Sequence, residues 1–455
     1  MAVNPSAFGE FALDRVVDDR SDSGIFRVDR SAFTDRRLFQ LEMSRIFEAT
    51  WIFIGLESEV EHPHDYVTRQ IGRRPVILMR DKGGRLGCFL NSCRHRGTLL
   101  CPLGKGNQKF HTCPYHGWVY DSGGRNVGIT GQGDGEYPAS FAALDHSLVP
   151  IAKLDSYRGF IFASLSPQVP TLREHLGDAA RMLDLVADQA PHGLEYVPGP
   201  ISYTFDGNWK LQFENGLDAY HFPSTHAAFV NILRQRGASE ALQPTAQREV
   251  PSAVAAGTLN FIHGHSASWS IGVPGQGPER RPLTRDPQLF ATVTRNVGEP
   301  RLDWMLRQRN LNIFPNLQVI DIQSLQVRTW QPLAVDKTRM TSHCLAPKGE
   351  SAEARGFRIR QYEEFFNAGG LATADDNVMY ELNQAGLAAV GAQGDAYARG
   401  LAAAAADPEY FAALGFERAA CTKSSAGLAF GDESAIRNGY REWRRLMIER
   451  CKIPK

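Results

Sequence analysis

Two short segments each pair a thiol with an imidazole: Cys93-Arg94-His95 and Cys113-Pro114-Tyr115-His116, with 17 residues between His95 and Cys113. Two such loops can grip a [2Fe–2S] cluster, both sulfurs on one iron and both imidazoles on the other. Neutral imidazoles in place of two thiolates raise its reduction potential well above that of an all-cysteine ferredoxin centre. Two cysteines with two histidines also serve structural zinc, but Cys-x-His is an unusual zinc half-site. Gly97 and Gly117, one or two residues after a histidine, suit tight loops around a bulky cofactor. Cys88 and Cys101 fall in no paired spacing and read as buried thiols.

A second constellation follows at Asp218, His221 and His226. Asp218 and His221, three apart, share one face of a helix. His221 and His226, five apart, would splay by well over a right angle on an undisturbed helix. Pro223 would kink or end the helix between them and return His226 to the same side. Two histidines and a carboxylate around one iron leave positions open for O2 and substrate. The spacing alone equally suits two hydrogen-bonded helix histidines and a solvated acid. The missing carboxylate must come from elsewhere: Asp375-Asp376 follow Gly369-Gly370 and head a helical pattern that carries Val378, Met379 and Leu382. Adjacent acids at a helix start also serve as capping residues. Neighbours point about 100° apart, so at most one faces a metal.

The elements that must position these residues are legible in outline. Phe39, Met43, Ile46 and Phe47 recur at helical spacing. From Trp51 to about Pro167 the texture is short β-rich runs, such as Val76 to Met79 and Gly159 to Phe162, separated by turns such as Asp81-Lys82-Gly83-Gly84. The four cluster candidates lie in this block. Beyond it, Leu317 to Val319 and Leu325 to Trp330 read as sheet, Ala354 to Phe366 and Val378 to Leu387 as helices, and Gly272 to Pro282 as a surface loop. The implied class is α+β, a small β domain set into a larger one. Lys+Arg and Asp+Glu are both 50, which argues against nucleic acid or an anionic membrane as the main partner. No apolar run is long enough to span a membrane, and Met1 to Asp14 lacks the blocks of a signal peptide. Seven scattered cysteines fit a reducing cytoplasm better than a disulfide framework. Gly131 to Gly135 is glycine-rich without the strand–turn–helix context of a nicotinamide or flavin motif, so a reductase must be a separate protein.

Together these residues resemble the large (α) subunit of Rieske non-haem iron aromatic-ring-hydroxylating dioxygenases, most of all the benzoate/toluate and anthranilate 1,2-dioxygenase branch. The likeness runs from about Ser23 to beyond Asp376 and includes Ser156-Tyr157-Arg158-Gly159-Phe160, Asn208-Trp209-Lys210 and Ala346-Pro347-Lys348-Gly349-Glu350. It implies an all-β Rieske domain (49–168) inserted in a helix-grip catalytic domain with an antiparallel sheet (169–455), residues 1–48 forming an N-terminal arm and helix. Cys93, His95, Cys113 and His116 would hold the Rieske cluster. His221, His226 and the second of the paired acids, Asp376, would hold a mononuclear non-haem Fe(II), with Asp375 in reserve. Asp218 would bridge His221 to a Rieske histidine, His116, of the next subunit in an α3 or α3β3 trimer. Asn215 either lines the substrate pocket or serves as a capping or core amide.

The implied reaction is cis-dihydroxylation of an aromatic ring, such as a benzoate or anthranilate, with O2. Its electrons would come from NADH through a separate reductase, with or without a ferredoxin, and a small β subunit is expected. A Rieske monooxygenase acting on a salicylate- or aromatic-amine-type substrate shares the same motifs. A plain electron carrier would leave roughly 290 residues without a role. The chain departs from the benzoate branch at Phe222-Pro223-Ser224-Thr225 and around Thr329-Trp330-Gln331. By charge alone, Arg309 and Arg328 are candidates to meet a substrate carboxylate, with structural roles as the alternative.

Overall fold

The computed structural model describes residues 13–218, 220–235, 256–271, 280–322, 324–389, 394–402, 420–423 and 432–449. The start of the chain to residue 12, most of the Gly/Pro segment 272–282 and most of the Ala-rich run 401–406 lie outside them. The chain forms two compact units. One comprises Phe47–Leu172; the other joins the residues up to Ile46 to those from Arg173 onward.

The smaller unit is antiparallel β structure in three small sheets. One sheet runs in the order Leu86–Leu90, Arg74–Arg80, Asp65–Ile71, Lys105–Asn107; another runs Asn126–Gly128, Val119–Asp121, Phe110–Thr112. Val76, Ile77, Leu78 and Met79 are all fully buried, which is why this strand is a continuous apolar run rather than an alternating one. Two of its turns share one design. Asp81 Oδ1 accepts the backbone N–H groups of Gly83 and Arg85, and Asp121 Oδ1 those of Gly123 and Arg125. In each, the next glycine (Gly84, Gly124) takes a left-handed φ near +80°. The cluster candidates occupy the segments after Leu86–Leu90 and between Phe110–Thr112 and Val119–Asp121.

The larger unit is built on an antiparallel sheet of nine described strands. Its path is Leu194–Tyr196, Lys337–Pro347, Leu325–Ala334, Leu317–Asp321, Gln308–Ile313, Ser266–Ser270, Ala256–Asn260 and Ala420–Lys423, with Ile201–Phe205 also paired to Lys337–Pro347. Leu311, Val319 and Val327 lie opposite one another on one face. The other face carries Asn312, Gln318, Arg328 and Ser342 in register, all buried. The helix Trp209–Asn215 packs on that polar face: Asn312 Nδ2 donates to the Phe213 carbonyl at 3.0 Å and Gln212 Nε2 to Gln318 Oε1 at 3.2 Å. Gly216, just past the helix, leaves room for the Gln318 amide, which a Cβ there would displace. At its start Asn208 caps the helix by accepting from Lys210 N–H.

Two expected helices end differently from the sequence pattern. Ala352–Gln361 passes into a π-helical turn, Tyr362–Phe366, and Arg36–Glu42 does the same over Met43–Phe47. In the Tyr362–Phe366 turn the Phe365 and Phe366 rings meet edge to face, with centroids 4.5 Å apart.

Three histidines outside the motifs meet in this unit. His175 and His265 rings lie 4.7 Å apart, and His263 stacks on His175 at 5.1 Å. His265 Nδ1 accepts the Phe314 N–H, and its Nε2–H donates to the His175 carbonyl. A second proton on His265 would set N–H against N–H. Burial, then the neighbouring His263, pushes its pKa down to about 3. Between that value and its ordinary 6.5 only the unfolded chain takes the proton. The contribution is therefore complete above pH 6.5 and is lost as the pH falls towards 3. Stability should fall by up to about 1.4 kcal/mol per pH unit on this account. His265→Asn, which keeps an acceptor for Phe314, should flatten the fall between urea midpoints at neutral and mildly acid pH; an unchanged fall would place the sensitivity elsewhere.

Candidate metal centres

The two Cys/His segments fold into the same backbone frame. In the first, Gly97 N–H donates to the Cys93 carbonyl and Cys93 N–H to the Thr98 carbonyl; in the second, Gly117 N–H donates to Cys113 and Cys113 N–H to Trp118. Both glycines take left-handed φ values, +75° and +71°. The histidine sits two residues after cysteine in one frame and three in the other, and the two rings meet with centroids 4.5 Å apart. Both thiols are buried and both imidazoles half-buried, so the sulfur end faces the core and the imidazole end faces outward. Trp118 stacks on His95 at 4.9 Å with planes 5° apart, and Tyr115 lies against His116. The Tyr120 hydroxyl accepts the Arg94 N–H at 3.0 Å and lies 3.3 Å from Cys93 Sγ. To a thiolate it can only donate, and hydrogen bonds to sulfur are one lever on a cluster's potential. His95 Nδ1 is buried with no protein partner, as a metal-directed ring nitrogen would be. This donor set fits the two-sulfur, two-nitrogen cluster. Cys88 and Cys101 are buried thiols pushed up by burial, to about 12 and about 11, and Cys101 hydrogen-bonds His111.

The second centre departs from the helix expected over Asp218 and His221. The Trp209–Asn215 helix has already ended, Asp218 lies in the connecting segment, and His221 caps a new short helix, Phe222–Thr225. Pro223 therefore starts a helix rather than kinking or ending one: in the first turn its missing N–H costs nothing. His226 closes that helix with non-helical torsions, and this return brings the two rings to 5.3 Å.

Asp376, in the first turn of Thr373–Leu387, completes the set. Its Oδ1 lies 3.5 Å from His221 Nε2 and 3.3 Å from His226 Nε2, and the three ligand atoms fall within 4.8 Å of one another. Each ring turns its other nitrogen to a different acid. His226 Nδ1 is 3.3 Å from Asp375 Oδ2, and His221 Nδ1 is 3.7 Å from Asp218 Oδ2. The latter is beyond hydrogen-bond reach, which leaves His221 Nδ1 buried without a bond. One acid facing both Nε2 atoms, with a separate acid behind each ring, is the arrangement that orients imidazoles towards a metal. Burial opposes charge on His221, but Asp218 and Asp376 outweigh it and raise its pKa. Burial likewise pushes the Asp376 carboxyl up, but His226, His221 and Arg328 hold it below the usual range. Asn215, the last residue of its helix, puts Nδ2 3.1 Å from Asp376 Oδ1 and 3.3 Å from His221 Nε2. Phe222 and Phe365 pack against His226.

Of the two arginines singled out by charge, Arg309 is buried in an ion pair with Asp321, and Arg328 is bonded to the Phe366 carbonyl and the Thr373 hydroxyl. Trp118, Tyr120 and Phe365 were not anticipated. Trp118 lies two residues past His116 and was the most accessible of them from sequence.

Residues 194–447 match the ring hydroxylating alpha subunit (catalytic domain) family, and residues 50–143 match the Rieske [2Fe-2S] domain. The chain thus belongs to the ring-hydroxylating α-subunit family, an oxidoreductase family whose members pair a Rieske cluster with a mononuclear iron. It is 39% identical to the toluate 1,2-dioxygenase subunit alpha of Pseudomonas putida over 83% of each chain. It is 42% identical to the anthranilate 1,2-dioxygenase large subunit of Acinetobacter baylyi, over 82% of this chain and 79% of that one. In structure it is similar to naphthalene 1,2-dioxygenase from Rhodococcus sp. bound to indole, with a TM-score of 0.79 at 27% identity, covering 93% of this chain and 94% of that one.

The split between the paired acids is testable. Asp376→Asn should strip the mononuclear iron and leave the cluster. Asp375→Asn should keep the iron with roughly 10–100-fold weaker affinity. Iron and labile sulfide, measured on each variant after chelator treatment, would exchange the two roles if the pattern were reversed.

Proposed function

We propose that this chain is the catalytic α subunit of a dioxygenase that adds both atoms of O2 to the ring of an aromatic carboxylate of the benzoate, methylbenzoate or aminobenzoate kind. The observation that carries this is the meeting of His221, His226 and Asp376 in a chain about two-fifths identical to toluate and anthranilate dioxygenase subunits over most of its length. In this reading Cys93, His95, Cys113 and His116 hold the [2Fe–2S] cluster, and His221, His226 and Asp376 the iron. When bound, the cluster supplies single electrons and the iron reductive activation of O2.

The chain's own residues do the rest. Asp375 fixes the tautomer and angle of His226, and Asp218 stands ready to do so for His221. Asn215, within reach of both His221 and Asp376, holds an amide donor at the edge of the triad, where it lines the pocket. Phe222, Phe229 and Phe365, packed edge to face and tilted, form an apolar wall beside His226 that excludes water and suits a planar ring.

Electrons from NADH arrive through a separate reductase. The working assembly is a trimer of α subunits, with a small β subunit, in which Asp218 bridges His221 to His116 of the partner subunit. The support for Asp218 is its position: on the far side of His221 from Asp376, and not fully buried.

The assignment is tested with the purified protein, a class-matched reductase and labelled O2. Benzoate, methylbenzoates and 2-aminobenzoate should each be consumed with two labelled oxygens entering the ring, to give a cis-diol acid or, where the substituent is lost, a catechol. One labelled oxygen, or equal turnover of benzene and benzoate, would overturn it. For the bridge, Asp218→Asn should retain both metals while reoxidation of the reduced cluster by substrate and O2 slows by about 10–100-fold; unchanged reoxidation removes Asp218 from the path.

A further inference from the structure

Arg328 is a buried cation in the middle of a sheet, a position that normally demands a carboxylate partner. Among the described residues no carboxylate pairs with it. Its Nη2 donates to the Thr373 hydroxyl at 2.7 Å and to the Phe366 carbonyl at 3.1 Å, and the same hydroxyl donates to the same carbonyl at 2.9 Å. The guanidinium also stands over the Phe366 ring, 5.5 Å from its centroid. These bonds join three pieces of chain: the sheet, the end of the Tyr362–Phe366 turn and the first residue of the helix Thr373–Leu387.

Between the last two, the backbone reverses through a tight turn. Gly370 N–H donates to the Asn367 carbonyl, Leu371 N–H to Glu364 and Ala372 N–H to Phe365. A Cβ at Gly370 would run into the Phe365 backbone, so no side chain fits there. The helix then begins, and Asp376 N–H bonds back to the Ala372 carbonyl. His221 and His226 come from a different stretch of chain. The triad therefore closes only if the first turn of Thr373–Leu387 is held at one height and one rotation against the sheet.

We propose that Arg328 and Thr373 form a staple that positions Asp376 for the iron site, with Arg328 a positioning residue and not a ligand or a substrate contact. The inference rests on the reading of His221, His226 and Asp376 as iron ligands. One guanidinium nitrogen, Nη2, reaches both the hydroxyl and the carbonyl, and an arginine remains charged while it does so. Without Arg328 the Phe366 carbonyl keeps its bond from the Thr373 hydroxyl, but neither group is any longer bonded to the sheet through the guanidinium.

The holoenzyme and three variants, Arg328→Gln, Thr373→Val and Thr373→Ser, are exposed to a chelator and assayed for iron, labile sulfide and the visible spectrum of the cluster. Arg328→Gln and Thr373→Val should each lose about one third of the total iron, the mononuclear share, with sulfide and cluster spectrum unchanged; Thr373→Ser should retain it. Wild type that retains the third iron while both Arg328→Gln and Thr373→Val also retain it overturns the staple alone. Wild type that carries the cluster but no further iron overturns the ligand reading and the staple with it. Should Arg328→Gln fail to fold, Thr373→Val decides: retention of iron overturns the staple, and selective loss supports it.

Discussion

The Glu42 carboxylate is wholly buried, and its two oxygens receive the indole N–H of Trp209, the ammonium of Lys210 and the indole N–H of Trp443. A charge so placed without partners would cost several kcal/mol, and removing one partner from such a cluster typically costs about 3–5 kcal/mol. The helix Trp209–Asn215 is thereby pinned at its first two residues to the helix Arg36–Glu42 and to Ser434–Ile448. At about 1.5 Å per residue, its other end follows as a rigid consequence. That end delivers Asn215 to the triad and sets where the chain turns towards Asp218 and His221. The polar sheet face beneath it holds the helix through Gln318, which bonds Gln212 and lies against Gly216.

The two candidate centres are shaped in opposite ways. Around Cys93 and Cys113 the backbone does the work: glycine turns and carbonyl bonds shape both loops, and neighbouring aromatic rings set the planes of the imidazoles. Around His221 and His226 the side chains do it. Asp376 faces both rings, Asp375 and Asp218 stand behind one each, and three phenylalanines close the side. The first centre is built from local sequence and the second from segments some 150 residues apart.

That difference explains how much the sequence disclosed. Cys93, His95, Cys113 and His116 were legible as candidates because metal chemistry restricts both residue type and spacing within short loops, and the β texture around them followed from the apolar run at Val76 to Met79. The sheet strands Leu317–Asp321 and Leu325–Ala334 were legible from the same kind of pattern. The local path through Asp218 and His221 was not: Pro223 reads as a helix breaker unless its place in a first turn is known, and that place is set by where the preceding helix stops. The duties of Asp375 and Asp376 were also open, since spacing says that adjacent acids diverge but not which one meets the histidines. Arg328 was visible only as a charge. Its partners, Phe366 and Thr373, lie more than thirty residues on and are brought to it by the fold.

The turn between Phe366 and Thr373 has a consequence for how this protein can change over generations. One residue added there would rotate the following helix by about 100° relative to the sheet and move Asp375 into the place of Asp376 beside the two histidines; one residue removed would put Asn377 there. Substitution at the surface of that turn is cheap, whereas a change in its length changes which residue faces the two histidines. Lineages can therefore drift in composition here while remaining locked in length.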